Sequence, residues 1–183
     1  MRRKSFDSII KQFLLQHVPD EGTVLDVGCG TGWTALFLAR QKPNCAVEGV
    51  DIDTVKIHRA NALFLKAKRD HIVRCYTCSA ELLAKRLGYG RYDVVISNHS
   101  LHHYPKPVIA LRQIRATLKP NGYLLLSELD PSYGEEIDNC PRYSLKKIIA
   151  LLKQARFHVR HAQHKKPGVL LLLAERTAKA SLH

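Results

Sequence analysis

Val24-Leu25-Asp26-Val27-Gly28-Cys29-Gly30-Thr31-Gly32 decides the fold of this chain. An apolar run interrupted by one acid reads as a buried strand, three glycines make a turn, and a helix starts at Trp33. Glycine permits positive φ and leaves room for a ligand beside the backbone. Free amides at the start of a helix favour an anionic group, either a carboxylate or a phosphate. A second strand ends at Asp51, nineteen residues beyond Gly32. A carboxylate there can accept hydrogen bonds from both hydroxyls of a ribose lying across the strand tips.

The glycine spacing narrows the ligand. A dinucleotide fold wants G-x-G-x-x-G, whose third glycine allows close helix–strand packing; this chain has Trp33 at that place and reads G-x-G-x-G. No G-x-x-x-x-G-K-[ST] occurs, so a nucleoside triphosphate loop is not supported.

Outward from the turn, the apolar period switches repeatedly. Phe6, Ile9, Ile10, Phe13 and Leu14 recur at helical spacing behind Ser5 as a cap, and Gly22 ends that unit. Strands are predicted at 23–27, 46–50, 72–77, 92–96, 123–126, 157–162 and 169–175. Helices are predicted at 33–40, 54–68 behind Asp53, 81–87, 108–118 and 145–155 behind Ser144. Near-continuously apolar strands alternating with helices indicate a parallel sheet covered on both faces. The connection between the last two strands is too short for a crossover helix, so they pair antiparallel. The prediction is one doubly wound α/β domain over 1–183, with a mostly parallel seven-stranded sheet and an antiparallel last strand. Its helix within 1–20 and the polar stretch 130–142 are the expected lids.

Composition excludes several classes. Of 183 residues, 29 are Lys or Arg and 16 Asp or Glu, giving +13, with 45% hydrophobic and 25% charged; this is a folded protein, not a disordered arm. The longest apolar run, 169–174, is strand-sized, so no membrane partner is expected. Asp7, Lys11 and Gln12 break the apolar core that an export signal needs. Five dispersed cysteines suit a reducing, cytoplasmic setting. The excess charge favours an anionic ligand or partner.

Taken together, these motifs resemble the class I S-adenosylmethionine-dependent methyltransferases, of the small bacterial type. The likeness runs from Val24 to Glu175. Val24–Gly32 resembles the family's first motif and Gly49-Val50-Asp51-Ile52 its second. Tyr92-Asp93-Val94-Val95-Ile96-Ser97-Asn98 with Leu101-His102-His103 resembles the fourth-strand motif. Leu118-Lys119-Pro120-Asn121-Gly122-Tyr123-Leu124 resembles the entrance to strand five, with Asn121 where relatives have glycine. The resemblance implies that Gly28, Gly30 and Gly32, with Cys29 and Thr31 between them, line the methionine part of S-adenosyl-L-methionine or its product S-adenosyl-L-homocysteine. It implies that Asp26 holds the amino group through water, Asp51 the ribose and Ile52 the adenine face, with Asn98 beside the methionine. Ser79 and Ala80 fall where relatives contact the adenine amine, but Ser79 replaces the usual acid, and as a residue in its own right it reads as a helix cap.

Methyl transfer from a sulfonium is an in-line displacement, so positioning supplies much of the rate. A base is needed only when the acceptor must lose a proton. Residues after strands four and five are placed for this: His99, His102, His103, Tyr104, Glu128, Asp130 and Tyr133. Of these, His99, His103 and Tyr133 are the catalytic candidates, although His103 equally reads as a residue that orders its loop. Cys75 and Cys78 tempt as metal ligands, but on a strand they point to opposite faces and no second pair follows, so no metal is expected. Lys56, Arg59, Lys66 and Arg69 share one helical arc, and Arg112, Arg115 and Lys119 another; such faces are usually solvated. The leading expectation is a methyltransferase with a small-molecule acceptor. An RNA methyltransferase using the basic surface, and a cofactor-binding partner protein without turnover, are the alternatives.

Overall fold

The computed structural model describes residues 2–132, 142–165 and 168–177, with the side chains of 2–6 excepted. In chain order the elements are α1 (Arg2–His17), β1 (Glu21–Val27), α2 (Trp33–Gln41), β2 (Asn44–Asp51), α3 (Thr54–Lys66) and β3 (Val73–Thr77). A 3-10 turn (Ala80–Leu82) leads into α4 (Leu83–Leu87), β4 (Tyr92–Asn98) and a second 3-10 turn (Leu101–His103). Next come α5 (Pro107–Thr117), β5 (Leu118–Leu129), α6 (Leu145–Gln154), β6 (His158–Lys165) and β7 (Val169–Glu175).

All seven strands join one sheet in the order β3-β2-β1-β4-β5-β7-β6. The pairs β1–β2, β1–β4, β2–β3 and β4–β5 are parallel, and β7 is antiparallel to both β5 and β6. Alternate strand residues feed two cores. Val24, Val47, Val94 and Leu125 pack with α1, α2 and α3 residues such as Leu14, Leu38 and Phe64. Leu25, Val50, Val95 and Leu124 pack with Leu83, Leu111 and Leu152 of α4, α5 and α6. Each fully buried large apolar side chain contributes about 1.5–3 kcal/mol. A sheet covered this way leaves the parallel strands' C-terminal ends, and the loops leaving them, as the place for a ligand crevice.

Local chemistry sets the boundaries. Asp53 accepts from the Val55 and Lys56 amides and starts α3, and the Ser144 hydroxyl accepts from the Lys147 amide to start α6. Two expectations need correcting. Ser5 does not cap α1, which already runs from Arg2; Arg and Lys are good helix formers, so the basic start extends the helix instead of preceding it. The segment 119–122 does not separate α5 from a short fifth strand, because β5 begins at Leu118. Leu118 pairs with Tyr92, and pairing resumes at Tyr123 opposite Val94, so the intervening residues bulge from the ladder. Pro120 is tolerated at such a bulge, and Asn121 takes φ 63° where relatives have glycine.

From Ile10 onward α1 is part of the core: Ile10, Phe13, Leu14 and Val18 are buried. The Tyr123 hydroxyl also donates to the His17 carbonyl at 2.6 Å. Ile9 is also partly buried against the same core. Most of the second expected lid, 133–141, lies outside the described residues. Among the described residues, no helix is long and apolar enough to cross a membrane.

Candidate cofactor and acceptor site

The glycine turn is stitched to the tip of β2. The Gly28 and Cys29 amides both donate to the Val50 carbonyl at 2.8 and 2.9 Å, and the Gly30 amide donates to Asp51 Oδ2 at 2.8 Å. The Gly32 amide closes the turn on the Cys29 carbonyl at 2.9 Å. The amides of Gly28, Cys29, Gly30 and Gly32 are thus taken within the turn by the Asp51 carboxylate and neighbouring carbonyls, whereas the expectation of free amides concerned the start of α2. These bonds brace the turn against the tip of β2.

Its three glycines serve different ends. A Cβ on Gly28 would lie 2.4 Å from the Ser100 Cβ, and one on Gly32 would lie 2.5 Å from the Phe64 ring, so these two admit packing partners. A Cβ on Gly30, at φ 53°, would meet nothing within 4 Å. Gly30 alone faces open space, and that space is a cleft of about 480 Å³. Such a volume suits a cofactor-sized ligand. Asp51, Ile52, Ser79, Ala80, His99 and His103 also line it.

Asp51 is fixed by the Gly30 amide on one oxygen and the Asp53 amide on the other, at 2.8 and 2.9 Å. Ile52 stands 72% exposed on the cleft wall, an apolar face that a planar group would cover. Asp26 is the unusual residue. It is buried, and its Oδ2 has no hydrogen-bond partner among the described residues. Burial, and then the nearby Asp51 charge, raise its carboxyl to about 7. A buried carboxyl oxygen without a partner calls for a hydrogen-bond donor. The ammonium of S-adenosylmethionine is such a donor, Asp51 suits a ribose and Ile52 an adenine, so the residues present fit that cofactor.

Other expected contacts are placed differently. Ser79 caps the first 3-10 turn, accepting from the Glu81 amide at 3.3 Å and hydrogen-bonding the Glu81 carboxylate. Glu81 itself lines the cleft, so an acid is present after all, two residues later than the motif suggests. Cys29 is buried with its Sγ 3.5 Å from Cys75 Sγ, and Thr31 is exposed beyond the cleft lining. Asn98 bridges elements: its Nδ2 donates to Thr34 Oγ1 at 3.2 Å and its Oδ1 accepts from Ser127 at 2.6 Å. Cys78 turns toward the Ser79 carbonyl, away from Cys75.

On the acceptor side, His99 and His103 line the cleft and the ring of His102 lies between theirs, 4.7 and 4.0 Å away respectively. His102 and Glu128 form a buried pair, with Nδ1 and Oε2 2.7 Å apart, while Glu128 Oε1 accepts from the Leu101 amide at 2.7 Å. These two stand 26 residues apart in the chain, so no local motif signals their pairing. Tyr104 is buried, its hydroxyl near Ser97, Ser100 and the Val27 carbonyl, and burial raises its pKa. Asp130 accepts from Ser132 and lies 2.7 Å from His164 Nε2. Tyr133 lies outside the described residues.

Known proteins share the fold of this chain. The chain is 26% identical over 133 residues to the malonyl-[acyl-carrier protein] O-methyltransferase of Halalkalibacterium halodurans, covering 68% of this chain and 45% of that protein. It is 33% identical over 117 residues to the ubiquinone biosynthesis O-methyltransferase of Histophilus somni, covering 62% and 47% respectively. The chain thus spans less than half the length of these curated relatives. Among solved structures, the [4+2]-cyclase SpnF superposes with TM-score 0.83 at 18% identity, over 93% of this chain and 80% of that one. A SAM-dependent methyltransferase from Aquifex aeolicus gives 0.79 at 18%, over 91% and 89%. Residues 1–179 match the family pattern described as "Methyltransferase domain", and the chain belongs to that family, the class I S-adenosylmethionine-dependent methyltransferases.

Proposed function

We propose that this protein transfers a methyl group from S-adenosylmethionine to a small-molecule acceptor by in-line displacement. The observation that carries the reading is the buried, unpartnered Asp26 Oδ2, with the opening at Gly30 and the pinned Asp51 nearby. When bound, S-adenosylmethionine supplies a methyl group on a positively charged sulfur. Asp26 would hold its amino group, Asp51 a ribose hydroxyl and Ile52 the adenine face, with Glu81 within the same cleft for the adenine amine. The turn residues Gly28 and Gly30 would border the methionine part; Cys29, Thr31, Gly32, Ser79, Ala80 and Asn98 would hold that wall in shape.

Acceptor-side chemistry falls to the cleft-lining imidazoles. His103 is exposed and can pass a proton on to solvent, so it would take the proton of an acceptor that must lose one. His99, whose ring lies against buried His102, would position the acceptor. The named activities of the curated relatives, on malonyl-[acyl-carrier protein] and in ubiquinone biosynthesis, support an acceptor of metabolic type. A second reading, binding without methyl transfer, has one observation in its favour: the neighbour at TM-score 0.83 is described as a cyclase.

Calorimetry tests the cofactor assignment directly. S-adenosylmethionine and S-adenosylhomocysteine should both bind, and Asp51→Ala should weaken binding by about 1–3 kcal/mol. Binding of NAD with no binding of either compound would sink the reading. Tight binding without S-adenosylhomocysteine release on any acceptor would instead favour the second.

A further inference from the structure

We propose that His99, His102 and Glu128 bind one divalent transition-metal ion of the zinc class at the acceptor end of the cleft. One ligand atom from each lies within 4.8 Å of the other two. The three come from both strand ends that meet there: His99 and His102 follow β4, and Glu128 is the last residue but one of β5. None of them is needed to explain the cofactor wall.

The cluster has the features of a built site. Glu128 and His102 side chains are only 2% and 3% exposed, so a carboxylate has been brought out of water together with an imidazole. Glu128 is held on its far oxygen by the Leu101 amide at 2.7 Å, which fixes the direction of the near one. His99 adopts φ 52°, a left-handed conformation uncommon for a residue with a side chain. Its amide donates to the Ser127 carbonyl at 2.8 Å, the residue before Glu128, and this stitch holds its ring against His102. Strained backbone that the surroundings hold in place concentrates at functional sites.

The donor set selects the ion. Two imidazoles and one carboxylate form a three-ligand arrangement that zinc uses with a fourth position open. Magnesium and calcium prefer oxygen sets, whereas imidazole suits zinc, cobalt and nickel. Ligands about 2.0–2.1 Å from a tetrahedral ion stand roughly 3.3 Å apart. The His102–Glu128 contact of 2.7 Å must therefore open slightly, and His99 must move inward. Because His99 lines the cleft, the open position would face the acceptor and take one of its oxygens, easing loss of that oxygen's proton to His103. That role rests on the methyl-transfer reading; the metal site itself does not.

The test is a titration of the chelator-stripped full chain with Co²⁺ in the absence of cofactor, read by visible d–d absorption and by competition with Zn²⁺. One saturable Co²⁺ per chain is expected, displaced by Zn²⁺ and weakened about 100-fold or more in His102→Gln and Glu128→Gln. His99→Ala, at a partly exposed position, should weaken it about 10- to 100-fold and keeps the test valid if the buried variants fail to fold by circular dichroism. Absence of one-to-one binding to the wild type, or unchanged affinity in His99→Ala, overturns the proposal. Cofactor calorimetry on the same preparations tells that failure apart from failure of the cofactor assignment.

Discussion

Asp26 shows how a single side chain sets stability against function. Its carboxyl titrates near 3.8 in an unfolded chain and at about 7 in the fold. Since the folded value is the higher, the folded chain holds more protons between the two, so this residue's contribution is full below about pH 4 and is lost as pH rises through about 7. The limiting slope is about 1.4 kcal/mol per pH unit. Asp26→Asn removes that titration. In urea unfolding of the cofactor-free protein at several pH values, the variant should gain on the wild type steadily across that window. At neutral pH it should also bind S-adenosylmethionine more weakly, by about 1–3 kcal/mol. Parallel stability profiles would show that Asp26 ionises freely. The sequence made Asp26 and Asp51 legible because each ends a recognisable strand. Glu81, and the pairing of His102 with Glu128, were not legible, because only folding brings those carboxylates to their places.

The glycine turn is the element on which fold and site meet, and its residues are not interchangeable. Sequence spacing identified the turn and the strand–helix alternation around it, since hydrophobic period and glycine are local signals. It could not tell which glycine serves packing and which serves the ligand, because that depends on Ser100 and Phe64 arriving from distant segments. The start of β5 was misread for a related reason: Pro120 and Asn121 are turn residues, and only the pairing of Leu118 with Tyr92 keeps their segment in the strand. The distinction between glycines predicts opposite outcomes for matched substitutions. Gly28→Ala places a methyl group 2.4 Å from the Ser100 Cβ, overpacking that should cost about 1–3 kcal/mol of stability on top of the left-handed strain at φ 77°. Gly30→Ala meets no neighbour and should cost only the left-handed strain, about 1–2 kcal/mol, while intruding on the cleft and depressing cofactor affinity. Urea unfolding alongside calorimetry checks the pair. Gly30→Ala binding S-adenosylmethionine as tightly as wild type would place the cofactor elsewhere.

At the scale of the molecule, the question is what a charge of +13 does. Total charge was legible from composition, but its deployment was not. On α5 and the start of β5, Arg115 donates to the Arg156 carbonyl at 2.9 Å, Arg112 reaches the Gln154 carbonyl, and Lys119 pairs with Asp93 at 2.8 Å. Those cations hold elements together. On α3, Lys56, Arg59 and Lys66 are exposed, and Lys56 stands 3.8 Å from Asp53. A nucleic acid lying on this face would meet about three phosphate-binding side chains. Each contact contributes at most about 0.9 to the slope of log affinity against log salt, less for single strands, so the slope from this face should not exceed about 3 in magnitude. Fluorescence anisotropy with a labelled RNA oligomer across a salt series should therefore show weak binding that fades toward physiological salt. The double variant Arg59→Gln, Lys66→Gln should flatten that slope without altering cofactor affinity, whereas Lys56 also lines the cofactor cleft. Specific nanomolar binding that survives physiological salt would require a larger basic interface than α3 offers, and would move the acceptor from a small molecule to RNA.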